Sequence, residues 1–318
     1  MADVWMGILR VLYEWIKSWC LFCIPNSCRF KDVSQETILV TGGGSGIGRL
    51  MAQKFAALGA RIVIVDVNEA GMRETASLIT KSNGSCVCYV CDVSNRQHVY
   101  SIAAKIRAEV GFVSILVNNA GITGCGTRFT ELNDERIVKT MEVNAFSQFW
   151  VTKAFLPEMM EKDIGHVVFV SSYAGLLGSC NLADYCASKF AVMGLAESLT
   201  LELKGDGRNI NTTAICPYLI DTGLFEGAAG SKLVPTLKPD DAANRIVDAI
   251  RLNQPILVMP QPLYLTLFVK TIVPVSAGFH LYKALDGLSF MRGFTGRQSN
   301  NNQPSLSNVP TQGQKKGE

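Results

Sequence analysis

Seven short apolar runs, separated by amphipathic segments of helical length, recur between residues 37 and 259. The runs are TILVT (37–41), RIVIVD (61–66), CVCYVC (86–91), SILVNN (114–119), HVVFVSS (166–172), INTTAIC (210–216) and PILVM (255–259). Strands that are apolar throughout and alternate with helices are typical of a parallel sheet covered on both faces. The sequence therefore predicts a single doubly wound α/β domain over residues 34–260, without a repeat or a second domain.

Composition excludes several classes of protein. The chain has 318 residues, 48% hydrophobic and 18% charged, and its net charge of +3 is too small for a nucleic-acid surface. Most of the ten cysteines lie in apolar runs, where Cys behaves as a small hydrophobic residue, so we expect a reducing compartment. Cys20 and Cys23 have no second pair, and the chain has only three histidines, so no metal site is predicted.

Residues 1–30 are mostly apolar and rich in Trp. Arg10, Glu14 and Lys17 interrupt this stretch and fall within about 60° of one another on a helix. A narrow charged stripe among apolar and aromatic side chains is typical of a helix that lies in a membrane interface. We predict such an anchor over residues 1–30; a tilted spanning helix and a helix packed on the domain are the alternatives. A cleaved signal peptide is not expected.

Two further segments follow the last predicted strand. Residues 261–294 are again apolar and predict a lid over a substrate, a second membrane contact, or both. Residues 295–318 are polar and predict a disordered tail. The tail ends in KKGE, which resembles the dilysine signal that retrieves membrane proteins to the endoplasmic reticulum when the tail faces the cytosol.

The first predicted strand runs into the glycine-rich stretch TGGGSGIG, residues 41–48. Gly42, Gly46 and Gly48 lie directly between a predicted strand and a predicted helix. Glycine permits the sharp turn and lets backbone N–H groups approach a pyrophosphate, and the helix N-terminus adds a partial positive charge. We therefore predict a dinucleotide-binding site and, with it, a Rossmann fold.

Asp66 ends the second predicted strand, 18 residues after Gly48. An acidic side chain at this position can hydrogen-bond both ribose hydroxyls of NAD and repels the 2′-phosphate of NADP. An Asp that only caps the next turn is the alternative, and Arg49 places a cation near the glycine loop. We predict NAD as the cofactor, with NADP as the alternative.

A tyrosine and a lysine lie four positions apart in the run DYCASKFAVMG, residues 184–194. On a helix, Tyr185 and Lys189 share one face, although such pairs also occur on ordinary exposed helices. Motifs elsewhere in the sequence decide between a catalytic pair and an ordinary exposed helix face. They appear in the order TGGGSGIG, CDV (91–93), NNAG (118–121), MEVNAF with Asn144, VSS (170–172) and YCASK (185–189). Together they resemble the motifs of the short-chain dehydrogenase/reductase superfamily over residues 36–260.

This resemblance implies the catalytic roles. Tyr185 would exchange a proton with the substrate, Ser172 would hold the substrate oxygen, and Asn144 would anchor a water relay from Lys189. Ser171 is the neighbouring alternative to Ser172. Lowering the tyrosine pKa of about 10 by about three units costs about 4 kcal/mol, which a cation about 4 Å away supplies at an effective dielectric of about 20. We therefore expect Lys189, helped by the positive charge of the nicotinamide in NAD, to lower the pKa of Tyr185, with burial of the lysine eroding part of the effect.

The resemblance also implies cofactor contacts and an oligomer. Lys189 would bind the nicotinamide ribose, Asn118 would stabilise its strand, and Thr222 would contact the carboxamide. A homodimer through the helix that carries Tyr185 is expected. The implied cofactor-binding set is Gly42, Ser45, Gly46, Ile47, Gly48, Asp66, Asp92, Val93, Asn119, Tyr185, Lys189 and Thr222.

Less specific stretches of the sequence narrow the resemblance to one group within the superfamily. The apolar N-terminus, TKAFLPEM (152–159) and CPYLIDTGLFEG (216–227) resemble the membrane-bound retinol dehydrogenase 10 and epidermal retinol dehydrogenase 2 group. This implies NAD-dependent oxidation of a lipophilic alcohol, with all-trans-retinol first, at the cytosolic face of the endoplasmic reticulum or on lipid droplets. The alternatives are a 17β-hydroxysteroid dehydrogenase, an NADPH-dependent carbonyl reductase, and a scaffold on a membrane or lipid droplet.

Overall fold

A computed structural model describes residues 2–124, 126–228, 234–284, 287, 288, 291 and 294. The predicted tail over residues 295–318, with its two lysines near the end, lies outside the described residues. The predicted domain at 34–260 forms an α/β unit, and the predicted lid segment begins with two helices.

The seven predicted strands are present and form one parallel sheet. Their order in space is β3-β2-β1-β4-β5-β6-β7, which is the order of a doubly wound Rossmann-like fold. The strands are β1 (Thr37–Thr41), β2 (Arg61–Asp66), β3 (Ser85–Val90), β4 (Ile115–Asn118), β5 (Gly165–Val170), β6 (Ile210–Pro217) and β7 (Ile256–Met259).

In the part of the chain that the structure describes, seven helices connect the strands: α2 (Gly46–Ala57), α3 (Glu69–Lys81), α4 (Arg96–Glu109), α5 (Asp134–Met141), α6 (Ser147–Lys162), α7 (Ala183–Gly205) and α8 (Pro239–Arg251). Helix α1 (Ala2–Phe22) precedes the sheet, and α9 (Leu263–Ile272) and α10 (Val275–Ala284) follow it. Asparagine side chains cap α3, α4 and α5 by accepting a hydrogen bond from a first-turn N–H group.

The core follows the two-residue period of the strands. In β1, Ile38 and Val40 belong to the apolar cluster that includes residues of α2 and α8, whereas Leu39 belongs to the cluster on the other face, with residues of α4, α6 and α7. Ile38 pairs with Ile62 on one side and with Ile115 on the other. Because both faces are buried, a slip of one residue would bury the wrong set of side chains, so the register is firmly specified.

The direction of winding reverses beside β1, whose neighbours are β2 and β4. Ligands of open α/β sheets bind at such a reversal, in the crevice beyond the carboxyl ends of the strands. The glycine loop follows β1 and the NNAG motif begins at the end of β4, so the fold brings both to this crevice.

Helix α1 is present, but its attachment to a membrane stays a prediction. The side chains described between Val4 and Cys20 are all exposed, which contradicts the alternative of a helix packed on the domain. Within the described residues, a search for helices with the length and apolarity to cross a bilayer finds none.

A buried histidine ties the segment before β1 to strands β5 and β6. The His166 ring in β5 lies 2.8 Å from Thr213 Oγ1 through Nε2 and 2.8 Å from Lys31 Nζ through Nδ1. Thr213 donates its own proton to the carbonyl of Gln254, so Nε2–H donates to Thr213 and Nδ1 accepts from Lys31. Burial and the Lys31 charge hold the pKa of His166 well below its usual value.

This arrangement predicts acid sensitivity of the fold. Because the pKa of His166 is lower in the folded than in the unfolded state, its neutral form stabilises the protein above about pH 6.5. That contribution is lost as the pH falls below 6.5, by at most about 1.4 kcal/mol per pH unit. We expect the free energy of unfolding in urea to fall between pH 7.5 and 5.5, and to fall less in His166→Gln. The exposed-site variant His280→Gln is the control, and equal pH dependence in all three proteins would contradict the prediction.

Candidate active site

The glycine loop is held in a shape that only glycine allows at its tightest point. A Cβ atom on Gly48 would lie 2.3 Å from the carbonyl oxygen of Gly42 and 2.6 Å from Nδ2 of Asn119. Gly42 and Gly46 have φ angles of +67° and +56°, in the left-handed region that favours glycine. The first turn of α2 therefore lies directly against the loop, and its N–H groups point toward the crevice.

The residues of the crevice fit a dinucleotide. Space remains beside Gly46, where a Cβ would have Thr222 as its nearest neighbour at 3.6 Å. The backbone is thus accessible at the N-terminus of α2, where a pyrophosphate would be stabilised by N–H groups and by the helix dipole. Ser45 and Ile47 flank this position in the loop and the first turn, and Thr222 faces it from the segment after β6.

Asp66 lies at the end of β2 with its carboxylate held by backbone groups. Oδ2 accepts a hydrogen bond from Gly44 N at 2.9 Å, and Oδ1 accepts one from Asn68 N at 2.9 Å. The contact with Asn68 is the turn cap considered as the alternative, so the carboxylate performs that role as well. Each oxygen retains a lone pair that can accept from a ribose hydroxyl.

Arg49 supports the glycine loop through several partners. Its Nη2 donates to the carbonyl of Gly44 at 2.7 Å and forms an ion pair of 2.7 Å with Glu74, and its Nε donates to Thr75 at 3.0 Å. The guanidinium therefore joins the loop to α3, a role that the sequence pattern did not reveal because Glu74 lies 25 residues away.

Asn119 and Thr41 join the ends of β1 and β4 at the crevice. Asn119 Nδ2 donates to the carbonyls of Thr41 and Gly42 at 2.8 and 3.2 Å. Thr41 Oγ1 accepts from the backbone N–H groups of Asn119 and Ala120. Thr41 was missed by the sequence analysis, although its place as the last residue of a strand before the glycine loop was a usable signal.

Three further predicted residues, Asp92, Val93 and Asn118, occupy different environments. The Asp92 carboxylate accepts from Ser94 N and Oγ at 2.9 and 2.7 Å and lies 3.6 Å from Lys139 Nζ. The Val93 side chain belongs to the buried core. Asn118 is buried and donates to Thr152 Oγ1 at 3.1 Å, which ties β4 to α6 as a strand-stabilising residue would.

Ser172, Tyr185 and Lys189 are buried together at the carboxyl end of β5. The Ser171 hydroxyl donates to the carbonyl of Lys189 at 2.9 Å and so holds helix α7. Ser172 interacts with the Tyr185 phenol, which opposes the rise in its pKa. This division of contacts favours Ser172 over Ser171 for the substrate-facing position.

The protein groups alone do not lower the pKa of Tyr185, and the joint effect of Lys189 and the nicotinamide charge stays a prediction. Burial raises the pKa of Tyr185 above its usual value, and it lowers the pKa of Lys189 to about 8. Lys189 Nζ lies 5.7 Å from the centre of the Tyr185 ring and donates to the carbonyl of Val170 at 3.0 Å. Desolvation is the largest contribution to both shifts, and it disfavours the charged form of each group.

A π-helical turn at Glu142–Phe146, between α5 and α6, positions Asn144. Asn144 Oδ1 accepts from Ile122 N at 2.7 Å, and Nδ2 donates to Ile122 O and to Ser188 Oγ at 2.9 and 3.0 Å. A Cβ on Gly121 would lie 3.4 Å from Asn144 Oδ1 and 3.5 Å from Lys189 Nζ. Asn144 Oδ1 and Lys189 Nζ therefore both lie beside Gly121, and the water relay between them stays a prediction.

The chain is similar to a known protein family and to several named proteins. The family model described as short chain dehydrogenase matches residues 36–231. Short-chain dehydrogenase/reductase family 16C member 6 of Bos taurus is 46% identical over 276 residues, which cover 86% of each chain. Epidermal retinol dehydrogenase 2 of Homo sapiens is 43% identical over 83% of this chain and 86% of its own. Retinol dehydrogenase 10 of Rattus norvegicus is 39% identical over 86% of this chain and 89% of its own.

Two solved structures share the fold. A short chain dehydrogenase/reductase from Burkholderia phymatum in complex with NAD has a TM-score of 0.69 and 25% identity, over 80% of this chain and 96% of its own. A metagenomic short-chain oxidoreductase in complex with NADP has a TM-score of 0.61 and 26% identity, over 72% of this chain and 96% of its own.

Proposed function

The chain belongs to the short-chain dehydrogenase/reductase family, and from this we propose that it oxidises a lipophilic alcohol with NAD, with all-trans-retinol as the leading substrate. It is an NAD(P)-dependent oxidoreductase. The observation that carries the proposal is the convergence of Ser172, Tyr185, Lys189 and Asn144 beside the glycine loop. This set supplies a proton acceptor, a hydroxyl for the substrate oxygen and a cation in one buried place.

The proposed reaction uses these side chains in turn. The Ser172 hydroxyl holds the alcohol oxygen, and Tyr185 Oη takes the proton from that oxygen as the carbonyl forms. NAD, held by the glycine loop and Asp66, would accept the hydride from the alcohol carbon and would bring a positive charge to the site. Tyr185 is then a neutral phenol, and its proton passes to uncharged Lys189 and from there to a water in the space shared with Asn144, which restores the phenolate.

The raised pKa of Tyr185 and the lowered pKa of Lys189 explain why the protein groups alone do not ionise Tyr185. A phenolate near neutral pH requires about 1.4 kcal/mol for each unit by which the pKa must fall. Burial adds to that requirement, and Lys189 is itself partly desolvated. The same burial makes Lys189, with a pKa of about 8, able to both give and accept a proton near neutral pH.

We favour NAD over NADP because of the contacts of Asp66 and Arg49. The Asp66 carboxylate is fixed beside Gly44, where a 2′-phosphate would meet its negative charge. Arg49, the cation that would attract such a phosphate, is paired with Glu74. NADP with carbonyl reduction is the alternative.

The surroundings of Tyr185 support an apolar substrate. The Tyr185 ring packs in an apolar cluster with Leu182, Leu219 and Phe225. Two of the relatives are named retinol dehydrogenases, and a long polyene alcohol suits such a lining. A steroid with a 17β-hydroxyl group is the second candidate.

We also propose that α1 lies in a membrane interface and brings the enzyme to substrates dissolved in lipid. Trp15 and Trp19 are 68% and 67% exposed, and the charges of Glu14 and Lys17 pair with each other at 3.3 Å on one stripe. Exposed Trp around a charged stripe is typical of interfacial helices. The cytosolic face of the endoplasmic reticulum, with lipid droplets as the alternative, and a homodimer through α7 remain predictions.

The first test is NADH formation by membranes that carry the protein, with NAD and all-trans-retinol. We expect Tyr185→Phe to lose about 10²- to 10⁴-fold in kcat, because the proton acceptor is gone, while NADH binding is retained. Tyr100→Phe, on the surface of α4, is the matched control. Full activity in Tyr185→Phe would remove the proposed role, and absence of turnover with both retinol and estradiol in the parent would remove the substrate class.

A second test concerns the choice of cofactor. We expect Asp66→Ala and Asp66→Asn to shift the ratio of NAD to NADP affinity toward NADP by about tenfold or more, because a charged hydrogen-bond acceptor is lost. Asp66→Asn retains an oxygen for Gly44 N–H, so it separates charge from loop support. Binding is followed by fluorescence titration, with the exposed-site variant Asp206→Ala as control. An unchanged ratio would assign Asp66 to the turn alone.

A third test concerns the membrane. We expect the full chain to float with phosphatidylcholine and phosphatidylserine vesicles in a density gradient, and the double variant Trp15→Asp, Trp19→Asp to remain at the bottom, because buried aspartates are costly in an interface. Leu201→Asp, at an exposed apolar site on α7, is the control. If this control releases the protein equally, α1 is not the attachment site.

A further inference from the structure

Two residues near the end of the described chain lie at the active site. Met291 and Phe294 are buried, and both belong to the apolar cluster that contains Tyr185. The Phe225 ring meets the Tyr185 ring edge-on, with centroids 5.5 Å apart, and Phe294 stacks on Phe225 at 5.4 Å with an interplanar angle of 28°. The catalytic phenol is thus covered by two successive aromatic rings.

The cover is fixed to the loop on the other side of the site. Gly126 N donates to the carbonyl of Phe294 at 3.3 Å, and a Cβ on Gly126 would lie only 2.7 Å from the carbonyl oxygen of Met291. Thr127 N in turn donates to the carbonyl of Asn181, just before α7. The position of Phe294 is therefore determined by backbone contacts as well as by ring packing.

This cover lies partly outside the region that the family model describes. That match ends at residue 231, so Phe225 lies inside it and Phe294 lies 63 residues beyond it. The shared chemistry is supplied by the matched region, whereas the outer ring of the cover comes from a segment that the match does not include.

We propose that Phe294 is a specificity-determining residue of the active site, which together with Phe225 selects alcohols with an extended apolar body; this rests on the proposed function. An apolar substrate that enters beside Tyr185 replaces the ring contacts that it displaces and packs against Phe294. A short alcohol leaves the displaced rings without partners, so the cover disfavours it.

Phe294 is a sharper test than Phe225 because its ring stacks on Phe225, whereas the Phe225 ring itself meets the Tyr185 ring edge-on. We expect Phe294→Ala to lower the ratio of kcat/KM for all-trans-retinol to that for butan-2-ol by about tenfold or more, mainly through a higher KM for retinol. Phe294→Leu keeps most of the apolar volume and is less prone to misfold than Phe294→Ala. It should recover part of the ratio of kcat/KM between the two alcohols. Phe268→Ala, at a Phe that is 62% exposed on α9, is the matched control.

A second measurement does not depend on turnover. Hydroxyl-radical footprinting of the full chain in membranes reports the solvent accessibility of Tyr185. We expect oxidation of Tyr185 to rise severalfold in Phe294→Ala and to stay unchanged in Phe268→Ala. If the parent oxidises neither alcohol, the proposed function fails, and footprinting still decides whether Phe294 covers the phenol.

Three results would overturn the inference. The first is an unchanged ratio of kcat/KM in folded Phe294→Ala and Phe294→Leu. The second is an equal loss on both alcohols, which would indicate a structural role. The third is a Tyr185 that stays protected without the Phe294 ring.

Discussion

The close contact between the ends of β1 and β4 is the constraint on which the rest of the site depends. Gly48 lies against the carbonyl of Gly42 with no room for a Cβ, and Asn119 bonds both carbonyls at the end of β1. The crevice lies on one side of this contact, at the N-terminus of α2. The contact also fixes the start of the loop at Gly121, which faces Asn144 and Lys189. Cofactor loop and catalytic set are therefore positioned by the same junction.

Burial then determines the chemistry. A phenol and an ammonium group that are buried lose hydration, and this loss is the largest contribution to both of their pKa shifts. The phenol is consequently held in its neutral form. A positive charge brought by an oxidised cofactor would have a large effect on it, because little solvent would screen that charge.

Sequence reasoning succeeded where a property is local. The seven strands followed from runs of β-branched residues, and the glycine loop followed from its position between a strand and a helix. It failed where distant residues meet. The π-helical turn that aims Asn144 has no apolar periodicity to reveal it, the partner of Arg49 lies one helix away, and the sign of the Tyr185 pKa shift depends on burial that a spacing of four residues does not report.

The sheet does not constrain every part of the site to the same degree. The strands must stay apolar and in register, and the proposed proton relay must keep four side chains at one carboxyl edge of the sheet. Both requirements leave little room for substitution. The cover of Tyr185 obeys neither constraint, because its outer ring comes from a segment beyond the sheet, attached through two backbone contacts of Gly126 and one ring stack. A change at Phe294 alters the shape above the phenol without touching the relay. Selectivity for the body of the alcohol can therefore diverge while the chemistry at its hydroxyl group stays the same.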